Sequence, residues 1–223
     1  MKQNLSDKVR KYLDVINPKE RFNRDVSWYI ISLGILGGIG LANNVILKSQ
    51  RGDYGLGIFS IVYSMYIIIS QVAAGGIQLS VLKNISYNQN DKQKCREIYT
   101  SGLVAIFFTS LLVALATYYS RHVIASFTQN PQEVAFGIEL IIPALFAYSF
   151  NKVLLYVLNG TRMMRSLAFF QSLRIVLLCV SIVSIIFLRL PSEFIPMAIT
   201  TGEITLFILI FSYVSINYAY PIF

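Results

Sequence analysis

Four long stretches without a charged side chain set the limits on how this sequence can fold. They are residues 26–47, 54–82, 98–120 and 204–223, and each contains at least 20 residues. A helix needs roughly 20 apolar residues to cross about 30 Å of hydrocarbon, because it rises about 1.5 Å per residue. Each stretch is therefore predicted to contain a membrane-spanning helix.

The composition agrees with a chain that lies mostly in a membrane. Apolar residues make up 55% of the sequence and charged residues 13%, and the mean hydropathy is +0.60. An ordinary soluble domain has about twice that share of charged residues. The fold class predicted is therefore all-α, a polytopic membrane protein.

Six spans are predicted, forming one bundle over residues 26–223. Their expected ranges are 26–47, 56–79, 102–120, 135–158, 166–188 and 194–216. Residues 1–25 are basic and carry apolar side chains at helical spacing until Asn17 and Pro18, which predicts a short cytoplasmic amphipathic helix on the membrane surface. A solvated basic tail is the alternative for this segment.

The distribution of Lys and Arg predicts the orientation. With the N-terminus inside, the cytoplasmic segments carry thirteen of these residues and the outer loops four. Basic loops stay cytoplasmic, so both termini are predicted to be cytoplasmic. Because the basic residues lie in loops between apolar runs, membrane topology explains the net charge of +8 and nucleic-acid binding is not expected.

No enzyme signature is found in the sequence. It lacks the metalloprotease, hydrolase, phosphate-loop and dinucleotide-binding motifs, and the predicted loops are too short for a catalytic domain. The single histidine, His122, cannot build a metal site or a catalytic triad. We therefore expect no enzyme activity, no cofactor and no metal.

Amide side chains inside predicted spans are candidates for a substrate path. Gln71 and Gln78 are seven residues apart and are predicted to share one face of the second span. Buried amides are costly unless paired, so this face should contact protein or a wet cavity. Asn43, near the outer end of the first span, is either a helix-terminal residue or part of the same path.

Four charged residues inside predicted spans are the strongest functional candidates. Arg174 lies about 12 Å into the fifth span and should contact water, a carboxylate or an anionic ligand. Lys152 can extend to the cytoplasmic interface. Glu203 is a candidate proton or cation site, or the partner of Arg174 or Lys152, and Glu139 is a second candidate for ion coupling.

Glycines in the first span suggest close helix packing. Gly34 and Gly38, followed by Ala42, form a ridge of small residues at four-residue spacing. Such a ridge lets a neighbouring helix approach closely in a membrane.

Three sequence segments resemble a known transporter family. Asn159–Arg165 (Asn-Gly-Thr-Arg-Met-Met-Arg) forms a predicted turn between two apolar helices, Arg51–Ser60 (Arg-Gly-Asp-Tyr-Gly-Leu-Gly-Ile-Phe-Ser) precedes another span, and Gly75–Gln78 is glycine-rich. Together they resemble bacterial polysaccharide and oligosaccharide flippases, in the superfamily that also holds lipid II flippases and multidrug extruders. The resemblance extends from about Val26 onward.

The resemblance implies a function, a location and partners. These flippases move an undecaprenyl-diphosphate-linked oligosaccharide across the bacterial inner membrane for O-antigen, capsule or exopolysaccharide synthesis. By analogy, Arg174 and Lys152 would neutralise the diphosphate, Gln71 and Gln78 would bind sugar hydroxyls, and Glu203 or Glu139 would couple transport to a proton or sodium gradient. The implied partners are the lipid-linked oligosaccharide, membrane lipids and a glycan polymerase.

The predicted span number departs from this family. Its members have twelve to fourteen spans in two lobes, whereas six are predicted here, so a second six-helix lobe or a homodimer is expected to complete the transporter. Two alternatives stay open, a lobe of a multidrug extruder acting as a cation antiporter and a membrane scaffold subunit that does not transport.

Overall fold

In a computed structural model of the protein, the backbone is described for residues 18–217 and side-chain surroundings for residues 26–216. This part of the chain is helical and contains no strand. Its elements are α1 (Pro18–Ala74), α2 (Ile77–Tyr87), α3 (Lys92–Ala125), α4 (Pro131–Gly160), α5 (Met164–Phe187), a 3₁₀ turn (Ser192–Phe194) and α6 (Met197–Asn217). The amphipathic helix predicted before Pro18 lies outside the described residues.

Five helices of the described part are long and apolar enough to cross a membrane. The all-α, multi-pass prediction is therefore confirmed, but six separate spanning helices are not found. The predicted first span and most of the predicted second span belong to α1, which has 57 residues and contains non-helical backbone at Gly52 (φ 66°, ψ −169°). The last three residues of the predicted second span, 77–79, belong to α2. Glycine suits this position because residues with a side chain rarely adopt such angles.

Helix α1 is bent back on itself at Gly52. Gly40 and Tyr63 line one cavity, although in a straight helix they would lie about 35 Å apart. Leu36 and Ile67 share a second cavity in the same way. We therefore divide α1 into arm one, before Gly52, and arm two, after it; both arms line these two cavities.

The connection after arm two differs from the cytoplasmic loop expected between the predicted second span, which ends at residue 79, and the third, which begins at residue 102. Gly75 and Gly76, both with positive φ, end α1, and α2 continues to Tyr87. A short turn follows, in which the Asp91 side chain caps α3 by accepting a hydrogen bond from the Lys94 backbone N–H. The predicted cytoplasmic loop is thus mostly helical.

Contacts between connections define the two ends of the bundle. At the bend end, Tyr54 donates a hydrogen bond to Glu133 at the start of α4. At the opposite end, which we call the turn end, Gln89 donates to the Gly160 carbonyl, and the Arg165 guanidinium lies 5.5 Å from the centre of the Trp28 ring. Successive connections therefore lie at alternate ends of the bundle.

Helix α4 is the central element, and its candidate span is more buried than those of the other helices. Around it, apolar side chains form two separate cores. The bend-side core includes Ile58, Val62, Ile138 and Ile182, and the turn-side core includes Val81, Ile106, Leu154 and Leu206. The region between the two cores holds the candidate site.

Candidate functional site

A polar layer separates the two apolar cores at mid-height of the bundle. Asn151 on α4, Arg174 on α5 and Glu203 on α6 each fall between a bend-side and a turn-side core residue along their own helix. Because three helices place a polar residue at the same level, these side chains meet inside the bundle.

Glu203 and Arg174 form an ion pair in this layer. Arg174 Nε lies 2.8 Å from Glu203 Oε1, and Arg174 Nη2 donates a hydrogen bond to Oε2 at 3.2 Å. The Glu203 side chain is 6% exposed and the Arg174 side chain 27%. Of the alternatives predicted for these two residues, the structure realises their mutual pairing.

Two further side chains complete the shell around the Glu203 carboxylate. Tyr66, on arm two of α1, donates its hydroxyl hydrogen to Oε1 at 2.9 Å. Asn151 Nδ2 donates to Oε2 at 2.8 Å and to the Glu203 backbone carbonyl at 3.0 Å. One carboxylate therefore connects α1, α4, α5 and α6.

Tyr148 links this pair to a second cation. The Arg174 guanidinium lies 4.6 Å from the centre of the Tyr148 ring, and Lys152 Nζ lies 5.4 Å from it, within the range of cation–π attraction. Gln71 Nε2 donates to the Tyr148 hydroxyl at 2.8 Å, and Lys152 Nζ donates to Gln71 Oε1 at 3.3 Å. The structure thus brings Arg174, Lys152 and Gln71 together around the Tyr148 side chain.

A cavity of about 160 Å³ lies against the ion pair and is named here the Arg174 cavity. Its polar wall consists of Arg174, Glu203, Tyr66, Tyr148, Tyr63 and Ser70, and its apolar wall includes Leu36 and Ile199. A partly exposed guanidinium at a cavity wall can bind an anionic group if that group displaces its carboxylate partner.

A second cavity, of about 290 Å³, lies toward the bend end and is named here the Asn43 cavity. Its wall is formed by both arms of α1 and by α5, and it shares Tyr63, Ile175 and Leu178 with the Arg174 cavity. Asn43 lines it and is 3% exposed. Within the described residues, neither amide atom of Asn43 has a hydrogen-bond partner.

Two predicted site residues lie elsewhere. Gln78 does not share a helical face with Gln71, because the break at Gly75 and Gly76 separates them; Gln78 is buried, and its Oε1 has no partner in the described part. Glu139 is half exposed, 3.5 Å from Arg121 Nε, and lines a different cavity beside His122. Its contacts are those of a residue near the bend end.

The glycine ridge of arm one also differs from expectation. A Cβ atom built on Gly34 or Gly38 would meet no atom within 4 Å, so no described helix approaches there. Among residues 26–216, no group of three or more His, Cys, Asp or Glu side chains is arranged to hold a metal ion.

Comparisons with family models, curated proteins and solved structures find no match for this chain. The functional interpretation therefore depends on the residues themselves.

Sequence reasoning missed three members of the polar layer, Tyr66, Tyr148 and Asn151. Asn151 carried a usable signal, since a buried amide in a span needs a partner in the same way as Gln71. The two tyrosines carried none, because aromatic residues are common both in membrane cores and at interfaces.

Proposed function

We propose that this chain is a lobe of a flippase-type transporter for a lipid-linked oligosaccharide whose diphosphate is anionic. The observation that carries the proposal is the Arg174–Glu203 pair at the wall of a cavity midway between two apolar cores. The resemblance of the sequence to polysaccharide and oligosaccharide flippases adds to it.

The energetics of the ion pair favour a functional role. Removing two charges from water costs several kcal/mol per ion, and well-packed apolar residues of similar volume are often as stabilising or more so. Ionisable residues within a membrane-spanning bundle usually mark a substrate or ion pathway. Stability alone therefore gives little reason for an ion pair at this depth.

The contacts suggest how such a cargo would bind. A diphosphate entering the Arg174 cavity competes with the Glu203 carboxylate for the guanidinium, and phosphate oxygens match its planar set of donors. Lys152, held near Tyr148 through Gln71, supplies a second positive charge. Glu203, released from Arg174, is then free to take up a proton or a sodium ion, which couples cargo binding to an ion gradient.

The proposal includes six membrane crossings. Because α1 is bent back at Gly52, arm one and arm two would each cross the membrane and the other four long helices once. Both termini would then be cytoplasmic, and the protein would lie in a bacterial inner membrane. A second six-helix lobe or a second copy would complete the cavity, since alternating access needs two halves that move against each other.

One observation favours a second candidate, a cation antiporter of the multidrug type. Glu203 is an almost fully buried acid with hydrogen bonds from Tyr66 and Asn151, and a cationic cargo would compete with Arg174 for this carboxylate. Under this alternative, Arg174 occupies the cation-binding carboxylate of Glu203 when no cargo is bound.

Complementation of a flippase-deficient strain tests the proposal. The chain, alone or with a second six-helix lobe, should restore surface polysaccharide. The double variant Arg174→Met/Glu203→Gln should still be found in the membrane, but the amount of surface polysaccharide should fall at least tenfold. Loss of drug resistance with unchanged glycan export would favour the antiporter. Full export by the double variant would exclude a role for the pair in transport.

A further inference from the structure

The Asn43 cavity has a wall chemistry different from that of the Arg174 cavity. Its polar lining residues are Asn43, Asn44, Ser60, Tyr63 and Ser64, and none of its lining residues carries a charge. A charged ligand would find no compensating charge there, whereas the Arg174 cavity offers one of each sign. The Asn43 cavity therefore suits a polar but neutral group.

The Asn43 side chain has unmet hydrogen-bonding capacity in the described part of the chain. Buried amides are nearly always hydrogen-bonded in folded proteins, because an unpaired one loses its bonds to water without replacement. Asn43 Nδ2 and Oδ1 are both buried without a partner among the described residues. One donor and one acceptor on a single side chain match a pair of neighbouring hydroxyl groups.

Arm two contributes two aromatic rings to the wall of the Asn43 cavity. The rings of Phe59 and Tyr63 are nearly parallel, with centroids 5.5 Å apart and planes inclined by 13°, and both residues line the cavity. An apolar ring face combined with amide and hydroxyl groups suits a molecule that has C–H surfaces and hydroxyl edges. A sugar ring has both.

We propose that the Asn43 cavity is a sugar-binding subsite, with Asn43 hydrogen-bonded to ring hydroxyls and the sugar packed beside Phe59 and Tyr63. This inference rests on the proposed function and adds to it a place for the neutral part of the cargo. The volume of about 290 Å³ is near the lower end of the usual range for ligand pockets, which begins at about 300 Å³.

The two cavities are placed to hold one ligand. They share Tyr63, Ile175 and Leu178. Tyr63 precedes Tyr66, which bonds to Glu203, by three residues, a rise of roughly 4.5 Å along the helix. A sugar attached directly to a diphosphate needs adjacent neutral and cationic subsites. The first sugar would thus lie in the Asn43 cavity when the diphosphate reaches Arg174.

Binding measurements on the 223-residue chain in nanodiscs test this assignment. The probes are undecaprenyl diphosphate alone and undecaprenyl diphosphate carrying one N-acetylglucosamine. The wild-type protein should bind the sugar-bearing lipid about tenfold more tightly, which corresponds to two ordinary hydrogen bonds. Asn43→Leu should remove this gain and leave affinity for the bare lipid within about twofold.

Stability and control variants separate binding from folding. Asn43→Leu should unfold at a temperature no lower than wild type, because it removes an unpartnered buried amide. Ser60→Leu, which narrows the cavity from arm two, should also abolish the sugar-dependent gain. Asn84→Leu, at an exposed position of α2, should retain it.

The outcomes distinguish this inference from the proposed function. A folded Asn43→Leu protein that keeps the full sugar-dependent gain overturns the subsite and leaves the diphosphate proposal standing. Failure of the wild-type chain, with its second lobe present, to bind either lipid overturns both.

Discussion

At the scale of single residues, the Glu203 carboxylate is the group on which the interior depends most. It accepts hydrogen bonds from Tyr66, Asn151 and Arg174, and only 6% of its side chain is exposed. Tyr66 and Arg174 would lose this acceptor if the carboxylate were removed, whereas Asn151 would keep its bond to the Glu203 backbone carbonyl. Because Arg174 is charged, it would suffer the largest loss.

We therefore expect Glu203→Gln to destabilise the protein by about 2–3 kcal/mol, less than for a fully buried pair because Arg174 is partly exposed. Tyr66 and Asn151 donate to different oxygens of the carboxylate, and glutamine keeps only one of them. Its oxygen can accept from Asn151 while its NH2 group donates to the Tyr66 hydroxyl, which can also act as an acceptor, so the loss reports mainly the unpaired guanidinium. Thermal unfolding in detergent measures it.

The double variant Arg174→Met/Glu203→Gln is the control for this prediction. Without the guanidinium, no buried charge remains unpaired, and stability should return to within about 1 kcal/mol of wild type. A double variant as unstable as Glu203→Gln would contradict the explanation, since the loss would then not come from Arg174.

At the scale of helices, glycines permit close contact where α3 and α4 meet their neighbours. A Cβ atom on Gly102 of α3 would lie 2.6 Å from Val81 Cγ2 on α2, and one on Gly137 of α4 would lie 2.7 Å from Val62 Cγ2 on arm two. Valine side chains are stiff and cannot easily move aside. Close packing therefore depends on these glycines and not on the ridge of arm one.

Gly102→Ala should destabilise the protein by about 1–3 kcal/mol, the usual range for overpacking. Adding Val81→Ala should restore part of the loss, because the clashing methyl group is gone. Gly38→Ala is the matched control: it adds the same methyl group to a helix where nothing lies within 4 Å, and should be neutral or stabilising by up to about 1 kcal/mol. Equal effects at both positions would contradict this view of the packing.

Helices α4 and α5 are each followed closely by an arginine whose backbone is in the left-handed conformation. Arg162 has φ 57° and Arg189 φ 53°, and the backbone N–H of the following residue bonds back to a carbonyl of the preceding helix. This is the arrangement of a glycine-type helix end. The arginines also place positive charge near helix C-termini, where the helix dipole favours it.

At the scale of the whole molecule, the polar layer lies between two apolar cores that pack around α4. If the bundle crosses a membrane with its connections at alternate faces, this layer lies near the bilayer centre. The bend at Gly52 and the turn at residues 88–91 must then emerge on opposite sides.

Cysteine labelling tests this topology directly. In a variant with Cys95→Ala and Cys179→Ala, Ser49→Cys should react with a membrane-impermeant maleimide in intact cells, and Asn90→Cys only after permeabilisation. Both positions are exposed. Labelling of both from one side would mean that arm two does not cross, whereas the reverse pattern would overturn the predicted orientation and keep the crossing.

Much of the candidate site could be predicted from single positions. Arg174, Lys152 and Glu203 were identified because charges within apolar stretches are costly, and the structure brings Arg174 together with Glu203 and places Lys152 near them through Gln71 and Tyr148. The prediction that Gln71 and Gln78 share one helical face was wrong, because the helix is interrupted between them by Gly75 and Gly76, which both have positive φ. The roles of these residues in transport stay predictions.

The sequence by itself determined that the chain is helical, that it has several helices able to span a membrane, and where most of them lie. These properties depend on the local run of apolar residues, which is read along the chain. Only the tertiary structure decided that Glu203 contacts Arg174, Tyr66 and Asn151. It also decided that no described helix packs against Gly34 and Gly38 of arm one. The helices are apolar on nearly every face, so their sequences do not specify rotation, height or neighbour, and packing decides these.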